Sequence, residues 1–372
     1  MHMQPYTTAD FEINPLMFYY EITQACDLAC KHCRASAQPN AAPDELTHEQ
    51  SIELMRQVAQ FPRKPNVCFT GGDPLKRADL FDVIAFAVEQ GITAALTPSA
   101  TPLATFDAFR KAKQAGVSAI GISLDGANAA MHDSFRGLDG SFHQTLEMLQ
   151  FAAELGLPVQ INTSITKRNF PQLDEIAELL AQYKVTMWSV FFLVPVGRGQ
   201  EEPRIAPDEY RIAFGKLWHH AQTKPFGVRT TEAPFYRRFI VEQGGNPLNA
   251  RHGSNYRAPL GITDGRGIMF VSHNGVIFPA GFLPIPCGRF PEVSIVETYQ
   301  KHPVFVELHN PDNYHGICGR CESRFICGGS RARAYALTGD YLGGEPDCFF
   351  ELPQTDGTDG KNTDGPTSLP VV

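Results

Sequence analysis

Residues 66–98 read NVCFTGGDPLKRADLFDVIAFAVEQGITAALTP, and this one stretch holds a complete strand–helix–strand unit. A short apolar run over 66–70 is followed by a polar turn, Gly71-Gly72-Asp73-Pro74. Residues 78–90 then place apolar side chains at helical spacing, and Gly91 stands where a helix C-cap belongs. A second apolar run follows over 93–98. A strand that returns to a strand through a helix is a parallel pair joined by a right-handed crossover.

The same unit recurs on either side. Further apolar runs lie at 16–23, 119–124, 158–165 and 187–194, with helical patterns at 47–60, 102–115, 141–155 and 170–183. Thr47 with Gln50 has the form of a capping box, Pro102 suits a first helical turn, and Gly116 and Gly156 suit C-caps. The runs are continuously apolar, as expected of strands covered on both faces. Six such units predict an α/β fold, a partial (β/α)6 TIM-like barrel, with a doubly wound sheet as the alternative.

Polar and unusual residues fall where those strands end. A cysteine-rich loop follows the first strand, and the Gly71–Pro74 turn the second. Ser99 follows the third, Ser123 and Asp125 end the fourth, and Asn162 lies late in the fifth. Parallel α/β folds place their active sites at these C-terminal strand ends.

Beyond residue 197 the pattern loosens. A helix is expected over 205–222 and a less regular connector over 226–259. A hairpin follows, built from 268–272, Asn274-Gly275 and 276–279. The chain divides into a barrel over 12–222, a connector over 223–264, a small cysteine-bearing domain over 265–352 and a tail over 353–372. Thr, Asp, Gly, Asn and Pro dominate that tail, and the composition predicts disorder.

Forty acidic against 32 basic residues leave a formal charge of −8, which argues against nucleic acid as the main partner. No apolar run approaches the ~20 residues that span a bilayer, so no membrane association is expected. Residues 1–10 lack the charged start and apolar stretch of a signal peptide, and a cytoplasmic, reducing location is expected. Nine cysteines there need a reason other than disulfides. Three lie between Cys26 and Cys33 and four between Cys318 and Cys348, while Cys68 and Cys287 stand apart. That clustering reads as two metal sites. Cys68, inside the second strand, reads as a small core residue.

Cys26-Asp27-Leu28-Ala29-Cys30-Lys31-His32-Cys33 brings three thiolates into one loop. Thiolates suit zinc and iron–sulfur clusters alike. Three cysteines on a [4Fe–4S] cluster leave one iron open to a further ligand. The segment matches the CxxxCxxC signature of the radical S-adenosylmethionine (SAM) superfamily, and Gly71-Gly72-Asp73-Pro74 resembles that family's GGEP segment, with Asp for Glu. The resemblance implies that Cys26, Cys30 and Cys33 carry the catalytic [4Fe–4S] cluster, whose open iron chelates S-adenosyl-L-methionine. Reductive cleavage of that cofactor gives a 5′-deoxyadenosyl radical that abstracts hydrogen from a substrate. The same resemblance implies cofactor contacts from Gly71, Gly72, Asp73, Ser123, Arg136 and Asn162.

Cys318, Cys321, Cys327 and Cys348 are enough to close a second site completely, and zinc is one reading of their spacing. Together with Arg331-Ala332-Arg333-Ala334-Tyr335-Ala336 they resemble the auxiliary-cluster region of SPASM/twitch radical SAM proteins, nearest to enzymes of the siroheme-to-haem branch. This implies a second, fully ligated [4Fe–4S] cluster acting as an electron relay. Arg331 and Arg333 would tune it or bind an acidic substrate, or else be ordinary helix-surface charges. Ala280 stands where many SPASM proteins carry a cysteine, so one auxiliary cluster is expected rather than two. Gly329-Ser330 replaces a further cysteine of the haem enzymes. The implied substrate is a tetrapyrrole, with a peptide or protein as the maturase alternative, and the implied reductant is flavodoxin- or ferredoxin-like. A non-enzymatic zinc-binding module is the alternative of a different class.

Overall fold

The computed structural model describes residues 7, 9–248 and 261–352. The tail expected over 353–372 and residues 249–260 of the connector lie outside the described residues. Strands β1 (Met17–Glu21), β2 (Asn66–Thr70), β3 (Thr93–Leu96), β4 (Ala119–Ser123), β5 (Val159–Ile165) and β6 (Met187–Phe192) are the six predicted from the apolar runs. Two more follow in parallel sense, β7 (Gly227–Thr231) and β8 (Ile268–Val271), before the short β9 (Ile277–Phe278). Thirteen helices accompany them among the described residues. Those used below are α1 (Asp10–Ile13), α2 (His48–Val58), α3 (Leu80–Glu89), α4 (Phe106–Gln114), α5 (Ala129–Arg136), α6 (Ser141–Leu155), α7 (Leu173–Leu180), α8 (Pro207–Thr223) and α9 (Tyr236–Glu242). The C-terminal part adds α10 (Ile295–Lys301), α11 (Pro303–His309), α12 (Gly316–Arg320) and α13 (Arg331–Thr338).

The sheet order is β7-β6-β5-β4-β3-β2-β1-β8-β9. Because β1 to β7 each pair in parallel with the next, every crossover packs on the same face and the sheet curls in one sense. A doubly wound sheet would instead reverse its order at the first strand. The partial barrel is therefore the observed fold. β8 pairs in parallel with β1, from Met17↔Ile268 to Tyr20↔Val271, so the predicted hairpin extends the barrel sheet. The expected irregular connector contains β7 and α9.

Local chemistry sets the helix ends. Thr47 and Gln50 form the complete capping box that starts α2. α4 is capped by Thr105, whose side chain accepts from the Ala108 amide. It therefore starts later than predicted, and Pro102 precedes the helix. α5, between the fourth strand and the 141–155 helix, was not among the predicted elements. Asn128 caps it and Gly137 ends it, both local signals of a helix.

Alternate strand residues face the helices: Phe18 and Tyr20, Val67 and Phe69, Ile120 and Ile122, Trp188 and Val190 are fully or almost fully buried. They meet Leu54, Ile84, Met148 and Ile176 from the helices in one core. Tyr19, Cys68, Thr97, Ser123, Asn162, Ser164 and Phe191 line a cavity on the concave face. The expectation of strands buried on both faces is corrected here: the concave side is a partly polar cavity. β5 shows it most plainly, alternating buried and half-buried along its length. Cys68 accordingly sits at the cavity floor beside Thr97, with Sγ 3.3 Å from the threonine Oγ1.

The C-terminal segment is locked to the barrel by buried charge. Arg333 pairs with Glu345 and Asp347, while Asp347 accepts from Tyr210 Oη and Arg204 on the barrel side. Arg331 donates to the Tyr341 and Gly343 carbonyls and stacks on Tyr314. Neither arginine is a helix-surface charge, since α13 is packed between the barrel and the 340–348 turn and both side chains are wholly buried. No helix among the described residues is long and apolar enough to cross a membrane.

Candidate active site and metal centres

The loop after β1 is a compact cradle. The Cys26 amide donates to Gln38 O and the Gln38 amide to Gln24 O, closing the loop on itself. Arg198 donates from Nε to Cys30 O and from Nη1 to Ala37 O, and its amide reaches Cys33 O. Gly197 makes that approach possible: at φ +54°, a Cβ there would lie 2.3 Å from Arg34 O. Gly71 and Gly72 press the β2 turn onto the same loop, because a Cβ on Gly72 would lie 2.3 Å from Ala25 O. The glycine pair thus sets the distance between two loops of the chain and borders the cavity.

Cys26, Cys30 and Cys33 all line the large cavity at the C-terminal strand ends, together with Gly71, Gly72, Ser99, Ser123, Arg136 and Asn162. Asp73 is fully buried and does not line it. Its carboxylate accepts from Thr101 Oγ1 (2.7 Å), Leu75 N (3.2 Å) and Ser99 N (3.3 Å), tying the β2 and β3 loops together. Burial raises its pKa. Ser99, held in this way, donates to Gly72 O and sits 3.6 Å from Cys26 Sγ.

Arg136, at the end of α5, pairs with the wholly buried Asp125 and donates to Cys30 Sγ at 3.7 Å. His32 stacks on Phe135 with centroids 4.4 Å apart. Burial, then the neighbouring Arg136 and Arg198, hold its pKa well below the usual imidazole range. Asn162 accepts from Gln160 Nε2, which fixes its amide at the cavity wall.

The second cysteine group lines a smaller cavity. Cys318, Cys321, Cys327 and Cys348 surround it with Phe235, Arg238 and Glu345. N–H donors point at their sulfurs: Glu345 N (3.2 Å) and Arg331 Nη2 (3.3 Å) at Cys318, Gly329 N (3.4 Å) at Cys327, and Arg238 Nη1 (3.8 Å) at Cys321. Such donors favour thiolate over thiol. Burial alone works the other way, pushing Cys26 up to about 11 and Cys348 to about 12 and raising Cys30, Cys318 and Cys327. A soft metal that displaces the proton reverses that penalty. Among the described residues no three His, Cys, Asp or Glu side chains converge closely enough to share one metal ion.

None of the nine cysteines forms a disulfide. Cys287 lies apart from both groups, buried, with Sγ donating to Ile285 O at 3.4 Å. Ala280 is buried at the cavity wall. Sequence reasoning placed Asp125 at the end of the fourth strand but not its pairing with Arg136, and it missed Arg34, Glu232 and Asp264, which line the cavity. Nothing local marked those three.

The Radical SAM superfamily model matches residues 20–180. The AdoMet-dependent heme synthase of Methanosarcina barkeri is 34% identical over 339 residues, covering 90% of this chain and 97% of that protein. The mycofactocin maturase MftC of Mycobacterium tuberculosis is 28% identical, over 90% of this chain and 83% of that one. The crystal structure of Streptococcus suis SuiB bound to S-adenosylmethionine superposes with a TM-score of 0.67 at 15% identity, covering 91% of this chain and 78% of that chain.

Proposed function

The chain belongs to the radical SAM superfamily, and from that premise we propose that this enzyme carries two [4Fe–4S] clusters and acts on a tetrapyrrole, at a side chain bearing a carboxyl group. The observation that carries the substrate class is the 34% identity to a heme synthase across nearly the whole of both chains. The non-enzymatic zinc module does not stand, because the family is one of enzymes. When bound, the first cluster and S-adenosylmethionine supply a 5′-deoxyadenosyl radical able to take a hydrogen atom from a substrate.

Cys26, Cys30 and Cys33 would hold that cluster, and their shared exposure to one cavity supports the assignment. Gly71, Gly72, Ser123 and Asn162 border the cavity on the β2–β5 side and would contact the cofactor. Arg136 shields Cys30 and neutralises Asp125, while Asp73 acts on the site through the loops that it fixes. Cys318, Cys321, Cys327 and Cys348 would hold the second cluster, supported by the four N–H donors aimed at three of their sulfurs. A flavodoxin- or ferredoxin-like protein would supply electrons. The division into a core over 12–222, a connector over 223–264 and an auxiliary domain over 265–352 belongs to the same proposal.

The apolar walls of the cavity, Phe191, Phe270, Phe282, Leu193 and Val194, suit a flat macrocycle. The test is anaerobic reconstitution with iron and sulfide, followed by reduction in the presence of S-adenosylmethionine and either a propionate-bearing iron porphyrin or a peptide. About eight irons per chain, with 5′-deoxyadenosine formed and carbon dioxide lost from the porphyrin as an added one-electron acceptor takes the electron left on the substrate, is the expected result. Turnover of the peptide alone would select the maturase reading. About four irons and no deoxyadenosine would overturn the two-cluster assignment.

A further inference from the structure

We propose that Arg34 seats a carboxylate of the substrate, holding the side chain that bears it beside the Cys26–Cys33 loop. This rests on the reading of the substrate as a carboxylate-bearing tetrapyrrole. Arg34 follows Cys33 directly, and its side chain lines the cavity while remaining 20% exposed. The guanidinium lies over the Phe270 ring, 4.5 Å from the centroid. Gly281 leaves the space it occupies, since a Cβ there would lie 3.2 Å from Arg34 Cδ and Nε.

One edge of the fork is used: Nη2 donates to Glu21 Oε2 at 2.8 Å. Nε and Nη1 make no hydrogen bond to the described residues. An arginine with one edge anchored and the rest of the fork free, on an aromatic ring in a cavity, is a preorganised carboxylate receptor. Glu21 does not cancel its charge alone, because the other oxygen of Glu21 pairs with His273 Nδ1 at 2.6 Å. Arg34 also stands on the β1–β8 flank, over Phe270 of β8, whereas the candidate cofactor contacts lie at the ends of β2 to β5. That placement assigns it to the substrate.

Two acids line the cavity near β7 and the start of β8. Glu232, at the end of β7, and Asp264, just ahead of β8, line the cavity together. Glu232 is held at φ +59°, an uncommon conformation for a non-glycine residue. Its Oε2 accepts from Ser330 Oγ, and Asp264 Oδ2 accepts from Ala332 N at 2.9 Å. Both side chains are buried among polar groups, and burial and then Asp264 hold Glu232 well above the usual carboxyl range. A carboxylate edge therefore finds its guanidinium donors at Arg34, not among the acids near β7.

The test is the affinity of the reconstituted protein for a propionate-bearing iron porphyrin and for its methyl ester, read by absorbance titration, with S-adenosylmethionine affinity measured in parallel. The wild type is expected to prefer the free acid. Arg34→Met should weaken free-acid binding about tenfold or more, leave ester binding unchanged and leave S-adenosylmethionine binding unchanged. Arg34→Lys should fall between, and it decides the matter if Arg34→Met loses iron. Preference for the free acid that survives in the variants overturns the role of Arg34 alone, as does a loss confined to S-adenosylmethionine binding. A wild type that binds neither porphyrin overturns the tetrapyrrole reading and this inference with it.

Discussion

Arg333 and Glu345 meet with both carboxylate oxygens 3.2 Å from one guanidinium nitrogen, and neither side chain is more than 1% exposed. The other edge of the fork reaches the Glu232 and Phe192 carbonyls. One side chain therefore ties the auxiliary segment to the ends of β6 and β7. Removing Glu345 leaves the buried Arg333 with Asp347, which Arg204 shares, and takes the acceptor from the Ser330 and Asp347 amides. Glu345→Ala should cost about 3–5 kcal/mol, checked by denaturant unfolding of the iron-loaded protein. An unchanged midpoint would show that Arg333 finds other compensation.

Cys30→Ala removes one of three thiolates and should abolish 5′-deoxyadenosine formation, measured after anaerobic reconstitution. Retained activity would exclude Cys30 as a ligand.

Cys321→Ala should lower iron by about half while sparing the first cluster. Iron analysis with electron paramagnetic resonance of the reduced protein checks this, and undiminished iron would remove the second cluster from the proposal.

Asp73→Ala leaves the Thr101 hydroxyl and the Leu75 and Ser99 amides without their acceptor, at about 1–3 kcal/mol for each one left unpaired. Because Ser99 is the group beside Cys26, the variant should raise the KM for S-adenosylmethionine as well as lower stability. Steady-state deoxyadenosine formation separates the two effects. A stability loss with unchanged KM would confine Asp73 to the fold.

His132 is buried and accepts the Asp125 amide at Nδ1 (3.1 Å), so it is held neutral, its pKa lowered to about 4 by burial and then by Arg136. The folded value lies below the unfolded one, so its contribution is complete above the ordinary histidine value of 6.5. It is lost as pH falls from there toward 4. His132→Gln should flatten the acid limb of a stability-against-pH curve. An identical slope would assign the acid sensitivity to other groups.

Much of this was legible in the chain because a βα unit is written locally. Apolar runs, caps and the turn residues of 66–98 carry the same message at short range, and the six units predicted are the six found. β7 escaped because Gly227–Thr231 has no apolar run, its last three residues being polar and half-buried. The pairing of β8 with β1 joins residues some 250 positions apart, and no periodicity encodes it. Whether Arg331 and Arg333 were surface charges stayed open because their partners, among them Tyr341, Gly343, Glu345 and Asp347, come from a turn that carries no regular pattern. Asp73 shows the converse: its position in the motif was plain, but its three donors are set by the β3 loop.

Glu232 and Asp264 also stand at the two places where the chain leaves and rejoins the sheet, and no backbone ladder runs from β7 to β8. A closed barrel has a fixed circumference, since widening it breaks strand pairing along its whole height. Here the two strand ends are held through the start of α13, Glu232 by Ser330 Oγ and the Arg333 guanidinium and Asp264 by the Ala332 amide. The seam between β7 and β8 is thus closed by a few polar contacts to a helix and not by strand pairing.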